Sequence, residues 1–400
     1  MQLYLQFGHG MLNHTKTLLE SWGGGGVILS PRDLRVDQLI KAGQAVAKLN
    51  LDCEVLLDPQ CFAHDADHHR LMTHVHFQAF RSCATGSLIT PQGAEDIVKP
   101  LFDLGREIGV SRHVVPGLLA RPVSQDWIAL QKHFIQVARK MAGGTPILAT
   151  VALSSDSIKT DEQIEAVVEA AATWEVDGFY VVAESPDQYL VADPVWLGNT
   201  LVLVSGLRLH KKPVLVGYSN HQMLCLAAAN ADVMAAGTWL NVRGFPIDKF
   251  YQPDEGEQSR RTTWYYCPQS LSEYKLPTLD LAKRLGMLQA MKPDPSLGSA
   301  CADPLFAGPD PSTISWPEPD SFRHYLTCLR AQCATVTSAS FGAAIAKQGV
   351  LLDGGAAVVK TLKSKAIRGD YRDFGECFDV NRGALSLLEH ARGARLRREW

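Results

Sequence analysis

Two carboxylates stand where apolar runs end. Asp58 closes Val55-Leu56-Leu57, and Glu184 closes Phe179-Tyr180-Val181-Val182-Ala183. Paired carboxylates in unlike surroundings can divide the work of acid and base, or of nucleophile and base. Beside Asp58 stand Gln60 and Phe62, an amide and a flat ring suited to a planar ligand. Gly217-Tyr218-Ser219-Asn220-His221 and Gly237-Thr238 follow two later runs, and Asn241 and Arg243 lie just beyond. Glycines there allow close approach of backbone N–H groups to a phosphate, with Arg243 as its charged partner. His9, in Phe7-Gly8-His9-Gly10, and Arg32, after Val27-Ile28-Leu29, complete the candidate set of ligand-binding residues.

Each of these residues has a structural role that competes with the chemical one. Asp58 precedes Pro59 and can cap its own loop. Phe62 can plug a barrel top. Glu184 can pair with an arginine such as Arg32 or Arg243. The glycines are ordinary turn residues, and a lone histidine such as His9 is commonly a hydrogen-bonded structural group. Five histidines, His64, His68, His69, His74 and His76, crowd one stretch with Asp65 and Asp67. These are zinc-type ligands, but their spacing matches no closed motif. The stretch therefore reads as a polar, mobile lid, and no metal site is assigned.

The elements that must carry these residues repeat. Eight short apolar runs, each followed by a polar cluster and a helix-like stretch, fill the first 240 or so residues. They are Leu3–Phe7, Val27–Leu29, Cys53–Leu57, His113–Val115, Ile147–Val151, Gly178–Ala183, Val214–Val216 and Asp232–Ala236. This is the grammar of a (β/α)8 TIM-type barrel, whose chemistry gathers on one rim. Arg121, Ser154, Asp156 and Asp187 also follow such runs. The chain is expected to divide into a barrel over 1–245, an irregular connector and linker over 246–319, and a helical C-terminal unit over 320–400. Over 30 residues separate Asp58 from the helix expected at Pro91, long enough for a lid or an interface.

Composition excludes several classes. Thirty-nine basic residues against 42 acidic ones give no global field for nucleic acid or membrane. No apolar run nears the ~20 residues that span a bilayer. Met1-Gln2-Leu3-Tyr4 opens directly into a strand pattern, which predicts no secretory leader. Nine scattered cysteines, with no Cys-x-x-Cys, fit a reduced, cytoplasmic protein. No lysine closely follows a strand, against a Schiff-base aldolase. Dinucleotide, P-loop and serine-hydrolase fingerprints are absent, so the cofactor is left unknown.

Two segments resemble the tRNA-guanine transglycosylase superfamily. Val55-Leu56-Leu57-Asp58-Pro59-Gln60-Cys61-Phe62 is similar to that family's strand ending in an aspartate. Lys212 to Gly217, Ala231-Asp232-Val233 and Asn241-Val242-Arg243 resemble its late β-α-β unit with an Asn-x-Arg element. The resemblance implies a barrel that holds a purine-like base, with Asp58 recognising the base or transferring a proton. The chain departs from the family in three places. Pro59-Gln60-Cys61 replaces Ser-Gly-Gly, no carboxylate stands near Ala235 where the nucleophile is expected, and Cys267 stands alone without a zinc element.

The first expectation is therefore a barrel that acts on or recognises a nucleobase, nucleotide or nucleic acid, with Asp58 and Glu184 as catalytic residues. Arg260-Arg261 and Trp264-Tyr265-Tyr266 would supply charge and stacking for a strand, or a clasp between units. The second is a non-catalytic recognition or assembly subunit that contacts protein partners through the 61–90 loop and the C-terminal helices. The third is a barrel enzyme for a small phosphorylated substrate or a flavin.

Overall fold

The computed structural model describes all residues except 84–87, 89, 187–188, 253–261 and 298. Eight parallel strands form one sheet: β1 (Gln2–Gln6), β2 (Gly24–Leu29), β3 (Asp52–Leu57), β4 (His113–Val114), β5 (Ile147–Leu153), β6 (Gly178–Ala183), β7 (Val214–Val216) and β8 (Val233–Ala236). The order β3-β2-β1-β8-β7-β6-β5-β4 leaves β3 and β4 as its two ends. These ends nearly close. The Ser111 N–H donates to Val55 O at 2.9 Å, and the Val55 N–H donates to Ser111 Oγ at 3.1 Å. The molecule is an α/β protein built on a TIM-type barrel.

The strands are buried apolar runs because helices cover the sheet's outer face. Outer helices include α1 (Leu12–Trp22), α2 (Val36–Ala47), α4 (Pro91–Ile108), α5 (Gln125–Met141), α7 (Asp161–Ala171) and α8 (Pro194–Arg208), with the short α6 (Ser155–Ile158) between β5 and α7. Their starts follow the capping logic of the sequence. Thr90, Ser124 and Asp193 accept backbone N–H bonds at the first turns of α4, α5 and α8. Gly24, Gly25 and Gly26 open β2. A Cβ at Gly26 would lie 2.3 Å from the Tyr4 ring, so glycine here leaves room for that ring over β2.

Three stretches differ from the sequence reading. The long segment after β3 is packed rather than loose, and carries α3 (Val75–Ser82) with Phe77 and Phe80 buried. Within 246–319, read as connector and linker, a hairpin forms from β9 (Trp264–Cys267) and β10 (Ser272–Lys275), followed by α9 (Leu276–Arg284) and α10 (Leu288–Met291). Tyr265, Tyr274, Leu279, Met291 and Trp316 give this stretch a small core of its own. The helical unit expected over 320–400 breaks early, between α11 (Glu318–Val336) and α12 (Phe341–Ser364), and Ser340 caps the second by accepting the Ala343 N–H. The last helix, α13 (Cys377–Glu399), lies along α8: a Cβ at Gly198 would meet Leu387 at 2.7 Å. Leu326, Leu329, Leu352 and Leu388 from α11–α13 join the barrel's own hydrophobic cluster. No helix of the described residues is long and apolar enough to cross a membrane.

Candidate functional site

Asp58 emerges one residue past β3 and is fully buried. Its Oδ2 accepts the hydroxyls of Tyr180 (3.0 Å) and Tyr218 (2.5 Å), and its Oδ1 accepts the Gln60 N–H at 3.1 Å. Gln60 extends the network. Its amide nitrogen donates to Ser30 Oγ and Tyr218 Oη, and its Oε1 accepts the Arg32 N–H at 2.7 Å. Burial raises the Asp58 pKa, while the donors Tyr218, Gln60 N–H and Tyr180 pull it back. Gln60 and Tyr218 both take left-handed backbone (φ 56° and 52°), a strained state held by the surrounding network.

The space above this network is filled by the chain itself. Phe62 is buried edge-on against Phe245 (4.9 Å between centroids) and Phe250 (5.4 Å). Lys249 places its ammonium 3.5 Å over the Tyr218 ring and donates to Asn241 O at 2.7 Å. Burial, with the Arg32 guanidinium nearby, holds the Lys249 pKa well below the lysine range. The plug is tied to the segment after β3. Arg32 Nε donates to Lys249 O, the His68 N–H to Phe250 O, and Tyr251 Oη to Asp65 Oδ1. Gln252 completes the clasp by donating to Asp67. The barrel axis is therefore closed at its carboxyl end.

The histidines of this segment serve the same packing. His74 Nε2 meets Pro31 O and Leu34 O, His76 Nε2 meets Pro59 O, and His64 meets Cys83 O. The His68 and His69 rings lie 4.6 Å apart between centroids, tilted by 31°. Among the described residues no group of three or more His, Cys, Asp or Glu side chains is placed to hold a metal ion. The described part of the segment is packed, and its imidazoles meet backbone carbonyls that would otherwise be buried bare.

Glu184 leaves β6 as Asp58 leaves β3, but opens onto a different space. It pairs with Arg121, beyond β4, and its Oε2 accepts the Ser155 N–H at 3.0 Å. The arginine that pairs with Glu184 is thus Arg121 rather than Arg32 or Arg243. Among the described residues Glu184 shares no hydrogen-bond partner with Asp58. Arg121, Ser155, Asp156, Lys159, Glu184, Asn241 and Asp248 line an open rim pocket of about 710 Å³. Asn241 Oδ1 is buried without a hydrogen-bond partner among the described residues. A neighbouring cavity of about 810 Å³ lies across Tyr189 and Leu240, against Lys363 and Tyr371. The first is built from the loops after β4, β5, β6 and β8, the positions that carry chemistry in this architecture.

Arg243, His221, Gly217 and Gly237 are packed within the chain. Arg243, read as a phosphate anchor, is buried and committed. It pairs with Glu273 at 3.3 Å, donates to Gly237 O at 3.0 Å and lies 3.5 Å over the Tyr325 ring. Arg372 joins the same carboxylate at 2.7 Å, and the two guanidinium groups hold the Glu273 pKa down at about 2 against its burial. His221 is buried among Tyr189, Tyr266 and Phe374, and burial lowers its pKa to about 4. A Cβ at Gly217 would strike Tyr180 Oη (2.6 Å), and one at Gly237 would strike Gln6 O (2.4 Å). Both glycines answer close packing within the chain. His9 is exposed, and its carbonyl accepts Trp239 Nε1 at 3.1 Å. Tyr265 and Tyr266 are buried, their hydroxyls donating to Met291 O and Gln332 Oε1. Arg260, Arg261 and Asp187 lie outside the described residues.

Tyr180, Lys249, Lys159 and the Glu273–Arg372 pair enter the rim without having been singled out by sequence. Tyr180 had a signal, since a hydroxyl in the middle of a buried strand demands a partner. The barrel architecture and its carboxyl rim define a TIM-type barrel protein. The chain matches no protein-family model, and no curated protein matches it.

Proposed function

We propose that this barrel recognises a nucleobase-bearing small ligand, a nucleoside or nucleotide, in the rim pocket beside Arg121 and Glu184. The observation that carries the reading is the pocket's mixed polar lining, set beside a barrel axis that is already filled. Arg121 and Lys159 suit a single phosphate. Glu184, Asp156 and Asp248 suit the donor edge of a base. Three carboxylates against two cations disfavour a polyphosphate or a long nucleic-acid strand in this pocket.

Recognition without transglycosylation is the form we favour. Asp58 has its oxygens occupied and lies under the plug, and the residue at 235 is a buried alanine. Calorimetric titration with purine and pyrimidine nucleosides, their monophosphates and a short single-stranded oligonucleotide tests this. Binding of a nucleoside or monophosphate, no tighter for the oligonucleotide and lost in Arg121→Ala, is expected. A panel without any binder contradicts the reading. Release of free base from a nucleoside, abolished in Glu184→Gln, would instead make the chain an enzyme at the glycosidic bond.

A further inference from the structure

Two parts of the chain wall the cavity beside the rim pocket. The barrel loops supply Tyr189, Leu190 and Leu240, and the segment between α12 and α13 supplies Arg368, Tyr371 and Glu376. Its volume of about 810 Å³ is ample for a small molecule. The charges around it are only partly committed. Lys363 pairs with Asp373 at 3.1 Å, and Lys275 with Asp370 at 2.7 Å. Arg368 and Glu376 are exposed, and among the described residues neither side chain has an ion-pair or hydrogen-bond partner. Glu376 is the N-cap of α13, yet its side chain caps none of that helix's N–H groups.

Asp373 draws these two free charges together. Its Oδ2 accepts the Gly369 N–H at 3.2 Å, and its Oδ1 accepts the Gly375 N–H at 2.7 Å. One carboxylate thus joins the residue after Arg368 to the residue before Glu376. Two residues of this segment other than glycine, Ala366 (φ 58°) and Asp370 (φ 54°), take left-handed backbone, a costly shape that the chain keeps here. The Tyr371 ring is 57% exposed, with Trp264 edge-on at 5.3 Å between centroids and the Arg372 guanidinium 5.4 Å from it.

We infer that this cavity binds a free α-amino acid with an aromatic side chain. Arg368 takes the carboxylate through paired N–H donors, and Glu376 takes the ammonium. Tyr189, Tyr371 and the two leucines receive the ring. A ligand with one charge meets one attractive and one repulsive group on this wall, whereas a zwitterion satisfies both. The cavity shares Tyr189 and Leu240 with the rim pocket but needs no ligand there.

The test is calorimetric titration of the full chain with L-phenylalanine, with hydrocinnamate, which lacks the ammonium, and with phenethylamine, which lacks the carboxylate. Circular dichroism confirms that each variant folds. L-Phenylalanine should bind with a Kd no weaker than about 1 mM, and each analogue at least about tenfold more weakly. Arg368→Ala should remove the preference for L-phenylalanine over phenethylamine, and Glu376→Gln its preference over hydrocinnamate. Arg121→Ala should bind L-phenylalanine as the wild type does, so failure of the rim-pocket reading leaves this site standing. A Kd weaker than about 1 mM, analogues that bind equally well, or preferences unchanged in both variants overturn the proposal. Loss of L-phenylalanine binding in Arg121→Ala also overturns it, by moving the ligand to the rim pocket.

Discussion

Asp58 and Glu184 leave the barrel at equivalent places, each one residue beyond its strand, yet meet opposite surroundings. The segment after β3 folds back with His74 and His76 on carbonyls, and the segment after β8 brings Phe245, Lys249 and Phe250 over it. Asp58 is thereby enclosed and its oxygens are shared among Tyr180, Tyr218 and Gln60. Beyond β5 and β6 the described residues leave an open pocket, which Glu184 and Arg121 line. Strand-end position decides where a side chain emerges. The loops decide whether it meets a ligand or the rest of the chain.

The sharpest way to break this contrast is to empty the closed side. Asp58→Ala strands two tyrosine hydroxyls and an N–H in a buried site, and should cost about 3–5 kcal/mol of unfolding free energy. Urea denaturation measures it; a loss under 1 kcal/mol would show that the network is not structural. Tyr218→Phe removes one donor to Asp58 and keeps the ring under Lys249, so about 1–3 kcal/mol is expected by the same assay.

Acid should act on the closed side as well. Burial lowers His76 to about 3 and His68 to about 4, from an ordinary value of 6.5. Between those values the unfolded chain binds protons that the folded chain refuses, so stability falls as pH drops from 6.5 toward 4. Glu273, held at about 2, adds a second loss as pH falls from 4.5 toward 2. The raised carboxyl of Asp58 runs the other way. The melting temperature should decline as pH falls below 6.5. His76→Gln should flatten that decline; an unchanged slope would remove His76 from the account. On the open side, Arg121→Ala and Glu184→Gln should move stability by only about 0.5 kcal/mol, while weakening ligand binding at least about tenfold.

Much of the barrel can be read directly in the chain. The eight apolar runs agree with the eight strands to within a few residues, because parallel strands covered by helices are short and continuously apolar. The second strand begins three residues before the run Val27–Leu29, because its opening glycines carry no apolar side chain and Gly26 leaves room for the Tyr4 ring. The break between α11 and α12 hid because apolar residues recur on both sides in helical register. The site was legible only as a ring of positions. That Arg121 and not Arg243 takes Glu184, and that Lys249 arrives over Tyr218, are facts of tertiary folding with no local period. Arg243 carries no mark of its commitment either, since Glu273 and Tyr325 reach it from distant elements.

The central claim is that ligand meets this barrel at the open pocket and not at the enclosed aspartate. Calorimetry with one nucleoside monophosphate, on the wild type, Arg121→Ala and Tyr218→Phe, tests it most directly. The account predicts that Arg121→Ala loses binding at an unchanged melting temperature, and that Tyr218→Phe melts earlier but binds as the wild type does. Binding lost in a folded Tyr218→Phe variant and retained in Arg121→Ala would contradict it.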